Sequence, residues 1–215
     1  MKAHLVIRRE EAADYRRVEE LTRDAFWDVN VPGCDEHYLA HVLRKAEAFI
    51  PELDFVACLE GKIAGNIMYA RAVVRSSDGK EHPVLTFGPL SVDPVCQNQG
   101  IGGSLVRHSV EAARALGYNA VIIYGDPDYY QRFGFRAARG YGIHTPYNTY
   151  SPALQVLELY PGALEGISGV FEEGEIYHLD EAAAQEFDRG FPKREKGWRK
   201  SQQRFQEILA ASVPV

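Results

Sequence analysis

Three glycines fall within four residues at Gly100-Ile101-Gly102-Gly103, between a run suited to a strand and a run suited to a helix. No other pattern restricts the fold of this chain as much. Val84 to Val92 is apolar enough for the strand, and Leu105, Ser109, Ala112, Ala113 and Leu116 recur on one side of a helix predicted over Gly102 to Leu116. Glycines at that junction leave backbone N–H groups unshielded by any Cβ, so a bulky anion can approach the main chain. In the first helical turn those N–H groups have no intrahelical partner. The helix dipole adds roughly half a positive charge at the same end. Strand, glycine-rich turn and helix N-terminus together read as a phosphate cradle.

Two familiar cradles are excluded by their own requirements. A P-loop needs Lys-Ser/Thr after its last glycine, and Ser104-Leu105 follows Gly103. A dinucleotide fingerprint needs a third glycine where Leu105 stands. The pattern that remains is Gln/Arg-x-x-Gly-x-Gly/Ala, here Gln97-x-x-Gly100-x-Gly102. Downstream, Tyr130-Gln131-Arg132-Phe133-Gly134-Phe135 spells Tyr-x-x-x-Gly-Phe. These two segments, in this order and separated by one helix and one strand, resemble the GNAT superfamily of N-acetyltransferases, over about residues 4 to 160.

That resemblance implies an α/β (α+β) fold: a mixed, mostly antiparallel central sheet with a splayed parallel strand pair, flanked by helices. It implies acetyl-coenzyme A as donor, with Gln97, Asn98, Gln99, Gly100, Ile101, Gly102, Gly103 and Ser104 around its pyrophosphate. Leu90, Ser91 and Val92 would meet the pantetheine arm, and Tyr130 and Phe133 would also touch the cofactor. Tyr130 stands where the family places the general acid that protonates the leaving thiolate; the alternative role is a tyrosine that only stacks on the cofactor. Asp126 stands near a place where family members often carry asparagine, which removes one expected contact. Trp27, Glu36 and His37 fall in the region that lines the acceptor side in the resembled fold; read from the residues alone they are a core aromatic and a solvated helix cap.

Along the chain, His4 to Arg8 reads as a strand and Asp14 as the cap of a helix carrying Tyr15, Val18, Leu21, Ala25 and Phe26. A second helix is expected from Asp35 to about Glu47. Asp54 to Glu60 and Lys62 to Arg75, joined at Glu60-Gly61, form a hairpin signal, and Ser76 to Lys80 is a polar turn. Gly88-Pro89 interrupts the next strand, since proline offers no ladder N–H and glycine often marks a bulge. Asn119 to Tyr124 is an almost wholly apolar run suited to a strand covered on both faces. Arg132, Arg136 and Arg139 are candidate phosphate partners; Glu81 and His82 are candidate bases. Gln155 to Tyr160 closes the region of resemblance. From Pro161 onward, Phe187, Phe191, Trp198 and Phe205 among many charges suggest an extension, residues 161 to 215, packed on the same domain or serving as a contact between two copies in a homodimer.

A formal net charge of -6 disfavours general nucleic-acid binding. The three cysteines, Cys34, Cys58 and Cys96, are widely spaced and fit neither a disulfide framework nor a metal site; they suit a reducing cytoplasm. Met1 to Arg9 lacks a long apolar stretch, so no leader peptide is expected, and no run approaches the ~18 apolar residues of a membrane span. The function expected is transfer of an acetyl group from acetyl-CoA to a primary amine of a small molecule or protein, by direct attack. The alternative is a non-catalytic acyl-CoA-binding sensor.

Overall fold

The computed structural model describes residues 4–215. Of the stretch Met1 to Arg9 read for a leader, Met1, Lys2 and Ala3 lie outside the described residues. The chain opens with β1 (Leu5–Arg9), α1 (Tyr15–Phe26) and α2 (Glu36–Leu43). The meander β2 (Phe55–Leu59), β3 (Lys62–Arg75) and β4 (Glu81–Val92) follows, then α3 (Ile101–Ala115), β5 (Ala120–Tyr124) and the short α4 (Pro127–Tyr130). After these come β6 (Arg136–Ala137), β7 (Ile143–His144), β8 (Thr149–Tyr150), β9 (Leu154–Glu158) and β10 (Gly169–Glu172). The C-terminal part holds α5 (Glu181–Asp188), α6 (Lys200–Ala210) and β11 (Val213–Pro214).

Among the described residues, the main sheet has the order β1-β2-β3-β4-β5-β9-β6, with β10 paired to β3 and β7 to β10; β11 pairs separately with β8. Its central pairings are antiparallel except β4–β5, which run parallel. Alternation along β3 divides the core. Ile67 and Tyr69 face α3, where Leu105 and Val106 cover them, while Met68 and Ala70 face Leu39, Ala40 and Leu43 of α2. Each fully buried Leu or Ile in such a layer contributes about 1.5–3 kcal/mol. Two hydroxyl pairs tie the layers together: Tyr69 to Ser109 of α3, and Thr22 of α1 to Ser91 of β4, each at 2.9 Å.

Some local expectations are corrected by tertiary partners. The Asp14 carboxylate does not cap α1; it pairs with Arg8 and accepts from the Glu11 N–H at 2.9 Å. α2 ends at Leu43 rather than near Glu47, because Lys45 and Ala46 tighten into bonds with the Val42 and Leu43 carbonyls. Arg44 then turns inward onto Glu10 and Glu19, 2.7 and 3.1 Å away.

The irregularity at Gly88-Pro89 is present, and it shapes the molecule. Ile67 opposes Leu90 while Tyr69 opposes Phe87, so β4 carries one residue more than β3 between these pairs. Beyond the single parallel register Leu85↔Val121, β4 and β5 diverge. The β4 backbone past Leu85 is therefore left without β5 partners on that edge, and a cleft opens there.

The C-terminal segment lies against α1 and α2. Asp188 pairs with Arg23 at 2.6 Å, and the Trp27 indole N–H donates to the Glu195 carbonyl at 3.1 Å. The Asp28 carboxylate accepts from the Gly33 and Gly197 N–H groups. Phe187 and Phe191 pack against the His37 ring, Phe191 edge to face.

Candidate active site

The glycine loop begins with Gly100 in the left-handed region (φ 83°), a conformation that favours a residue without Cβ. That turn brings α3 in at Ile101, one residue before the start read from the sequence. The N–H groups of Ile101, Gly102 and Gly103 then find no acceptor among the described residues. Ser104 differs, because its N–H is already committed to the Gly100 carbonyl at 2.9 Å. The loop is tied down by its own amides: Gln97 Nε2 donates to the Val92 carbonyl at 3.2 Å and Gln99 Nε2 to that of Val95 at 3.4 Å. A Cβ on Gly102 would lie 2.7 Å from the Tyr129 hydroxyl, and one on Gly103 would lie 3.3 Å from the Phe133 ring. The cradle is thus walled by two aromatic rings, which leave little room for a Cβ at either position.

This cradle opens into a cleft of about 1160 Å³ that continues between the diverging β4 and β5. On the cradle side it is lined by Leu90, Val92, Gln97, Asn98, the glycines, Tyr129, Tyr130 and Phe133. Gln99, Ser104 and Ser91 do not line it; the Ser91 hydroxyl points at Thr22 instead. Arg107 and Arg132 do. Arg132 lies over the Tyr129 ring at 4.0 Å and donates to the Tyr129 carbonyl. Arg136 and Arg139 lie elsewhere, Arg139 over Tyr150.

Tyr130 is held by rings: Tyr129 at 4.9 Å, Phe135 at 5.6 Å and Phe87 at 5.8 Å between centroids. Burial pushes its phenol well above the ordinary tyrosine value, and Tyr129 and Tyr69 add to the shift. The group therefore keeps its proton across the neutral range.

The expected acceptor residues separate. Glu36 lines the cleft, where it accepts from Asn30 Nδ2 at 3.3 Å. Trp27 and His37 do not: Trp27 is 5% exposed beneath Arg23, and His37 is fully buried with Nε2 3.0 Å from Asp188. Glu81 and His82 are also off the cleft, turned to Arg75 and Ser76. In their place stand residues the sequence reading missed: Phe26 at the end of α1, Tyr124 of β5, Glu173 and Tyr177 after β10, and Arg204 and Phe205 of α6. The Phe205-Ile208-Leu209 spacing on α6 was legible as an apolar stripe, whereas nothing local distinguishes Glu173 from its neighbour Glu172. Among the described residues, no cluster of side chains could hold a metal ion, and no helix is long and apolar enough to cross a membrane.

A bulged strand splayed from its parallel neighbour, with the gap running into a glycine-lined helix N-terminus, defines the class: an acetyltransferase fold of the coenzyme A-dependent kind. Comparison with known proteins agrees. Residues 52–137 match the family model described as the acetyltransferase (GNAT) domain. The uncharacterized N-acetyltransferase YhbS of Escherichia coli (strain K12) is 30% identical over 162 residues, 70% of this chain and 94% of that protein. The crystal structure of E. coli YhbS in complex with CoA superposes with a TM-score of 0.74 at 28% identity, covering 83% of this chain and 94% of that one. A GNAT acetyltransferase from Brucella melitensis in complex with acetyl-CoA gives 0.65 at 28% identity, covering 81% and 98%. The chain belongs to the GNAT family of N-acetyltransferases.

Proposed function

We propose that this chain transfers the acetyl group of acetyl-CoA to a primary amine by direct attack, within one unit that includes residues 161–215, in the cytoplasm. The observation that carries the reading is the set of unpartnered N–H groups of Ile101, Gly102 and Gly103, which open into the same cleft as the free edge of β4 and Tyr130. The cradle fits the donor on chemical grounds: three N–H groups at a helix N-terminus and two nearby guanidiniums suit a pyrophosphate. Acetyl-CoA, when bound, supplies the activated thioester. Gln97, Asn98 and Gly100 to Gly103 would hold the pyrophosphate, and Arg107 and Arg132 would meet phosphate charge. The unpaired β4 backbone around Leu90 and Val92 would take the pantetheine amides and stabilise developing oxygen charge. Tyr130 would deliver a proton to the departing sulfur, a task that needs a protonated phenol. Much of the rate comes from holding two reactants in contact.

The test is a thermal-shift titration with acetyl-CoA followed by thiol release over an amine panel. At a hundredfold excess over Kd the donor adds about 2.7 kcal/mol, which for a chain of this size raises Tm by about 5–10 °C. Tyr130→Phe is expected to lower kcat at least about tenfold while leaving the donor's Kd within a factor of about three. No thermal shift at saturation would overturn the donor site. A shift with no thiol release on any amine would favour the sensor reading, and full activity in Tyr130→Phe would remove the general-acid role.

A further inference from the structure

The acceptor half of the cleft has a one-sided chemistry. Phe26, Val29 and Leu39 face it from α1, the connection after it and α2, and Phe205, Ile208 and Leu209 face it from α6. Its other charged side chains are already engaged: Glu36 accepts from Asn30 Nδ2 and the Asp35 N–H, and Arg204 pairs with Asp126 and Asp128 at 3.1 and 2.8 Å. Glu173 is the exception. It lines the cleft yet pairs with no cation among the described residues. The group its carboxyl approaches is the hydroxyl of Thr86 on β4, itself fully buried and without a partner.

The fold explains why Glu173 sits there. β10 is paired to the Val73–Arg75 end of β3, which delivers the next residue onto the α1/α2 side of the sheet. One short turn later the Tyr177 hydroxyl reaches the Gly88 carbonyl at 3.4 Å, so the segment is pinned against the β4 bulge. A lone carboxylate in such a place carries an unrepaid desolvation cost, which an ammonium group would offset.

Resting on the acetyl-transfer reading above, we propose that Glu173 seats the acceptor's ammonium and takes its proton, and that the acceptor is a primary monoamine on an apolar or aromatic body. The ammonium gives one proton to the Glu173 carboxylate, which passes it to solvent. The freed nitrogen lone pair forms the N–C bond to the acetyl carbon as the thioester C–S bond breaks. The nitrogen then gives up its second proton to solvent, and the sulfur gains one from Tyr130, whose phenol is restored from solvent.

Burial pushes the Glu173 carboxyl up to about 7, with Thr86 pulling weakly the other way. The titratable groups facing it are the phenols of Tyr124 from β5 and Tyr177 from its own segment, with Tyr147 beyond Tyr124; burial keeps Tyr124 and Tyr177 neutral. A base of that strength suits proton removal near neutral pH. A polyamine would leave further charges against the apolar wall, and a peptide would leave backbone groups there unpaired.

The experiment titrates the CoA-saturated protein calorimetrically with phenethylamine, spermidine and trialanine, in wild type and Glu173→Gln, and then records initial rates with acetyl-CoA from pH 5.5 to 9. Phenethylamine is expected to bind most tightly and to lose about tenfold or more in Glu173→Gln, the scale of a lost charge-assisted hydrogen bond. CoA affinity is expected to stay unchanged. The wild-type rate should fall below about pH 7, and that limb should vanish in the variant. Preference for spermidine or trialanine, equal phenethylamine binding in both proteins, or an unchanged acid limb would each overturn the proposal while leaving the donor site standing. Failure of CoA itself to bind would identify the donor reading as the fault, and the proposal would fall with it.

Discussion

Gly125→Ala tests how closely the site is packed around its proposed acid. The backbone at Gly125 is not left-handed, so an alanine is conformationally allowed and the demand for glycine is purely steric. A Cβ built there lies 2.2 Å from Cε2 and 2.6 Å from Cδ2 of the Tyr130 ring. Ordinary carbon contacts are about 3.5–4.0 Å, so the ring edge must retreat by about 1.3–1.8 Å. Phe87, Phe135 and Tyr129 pack around that ring, so it can retreat only toward the cleft, away from its place in the site. Overpacking of this kind costs about 1–3 kcal/mol, which lowers Tm by about 2–12 °C in a chain of this size. A displacement of about 1 Å at a reacting group can cost about a hundredfold in rate, so kcat should fall between about ten- and a hundredfold. Differential scanning fluorimetry and thiol-release kinetics read the two effects. The control is a double-mutant cycle with Tyr130→Ala, which removes the ring and with it the clash, giving a coupling of about 0.5–3 kcal/mol. The reasoning is refuted by a Gly125→Ala protein with wild-type Tm and kcat, or by penalties that simply add.

Gly102→Glu places a side chain against the Tyr129 hydroxyl and a negative charge in the cradle, and calorimetry should show acetyl-CoA binding abolished; retained affinity would falsify the cradle. His37 gives a pH signature. Burial lowers its imidazole to about 4 against the pull of Asp188, whose charge Arg23 already matches. Between the ordinary value of 6.5 and about 4 the unfolded chain binds more protons, so stability is lost as pH falls through that window, by up to about 3 kcal/mol. Urea denaturation at pH 7 and 4.5 should show a smaller drop in His37→Gln; equal slopes would remove His37 as the cause. Asp188→Ala leaves the Arg23 guanidinium, its side chain 2% exposed, without a partner. The expected loss is about 3 kcal/mol, the lower end for a broken buried pair because Asp188 itself is 30% exposed; a loss under about 0.5 kcal/mol would mean the C-terminal segment is not anchored there.

The shape of the glycine loop and of the strand before it was legible in the local chemistry of the chain. Glycines at a strand–helix junction restrict backbone geometry within a few residues, and Gly88-Pro89 can hardly sit in a regular ladder, so loop and bulge were readable from neighbours in sequence, while the splay was implied by the family resemblance. Tyr130 came from the resemblance of its segment to the family's Tyr-x-x-x-Gly-Phe pattern. Where elements end was less readable, because Asp14 and Arg44 exchange local roles for partners far along the chain.

The acceptor side belongs to the tertiary structure. Trp27 and His37 lie in the right region of sequence, but contacts with Glu195, Asp188 and Phe191 turn them into supports for the C-terminal segment. Glu173, Tyr177 and Phe205 come from parts of the chain without a motif, and they reach the cleft only because β10 docks on β3 and α6 closes over the opening. A motif records constraints that act through the adjacent backbone. A pocket wall assembled across long separations depends on which surfaces find each other, and no short pattern encodes that pairing.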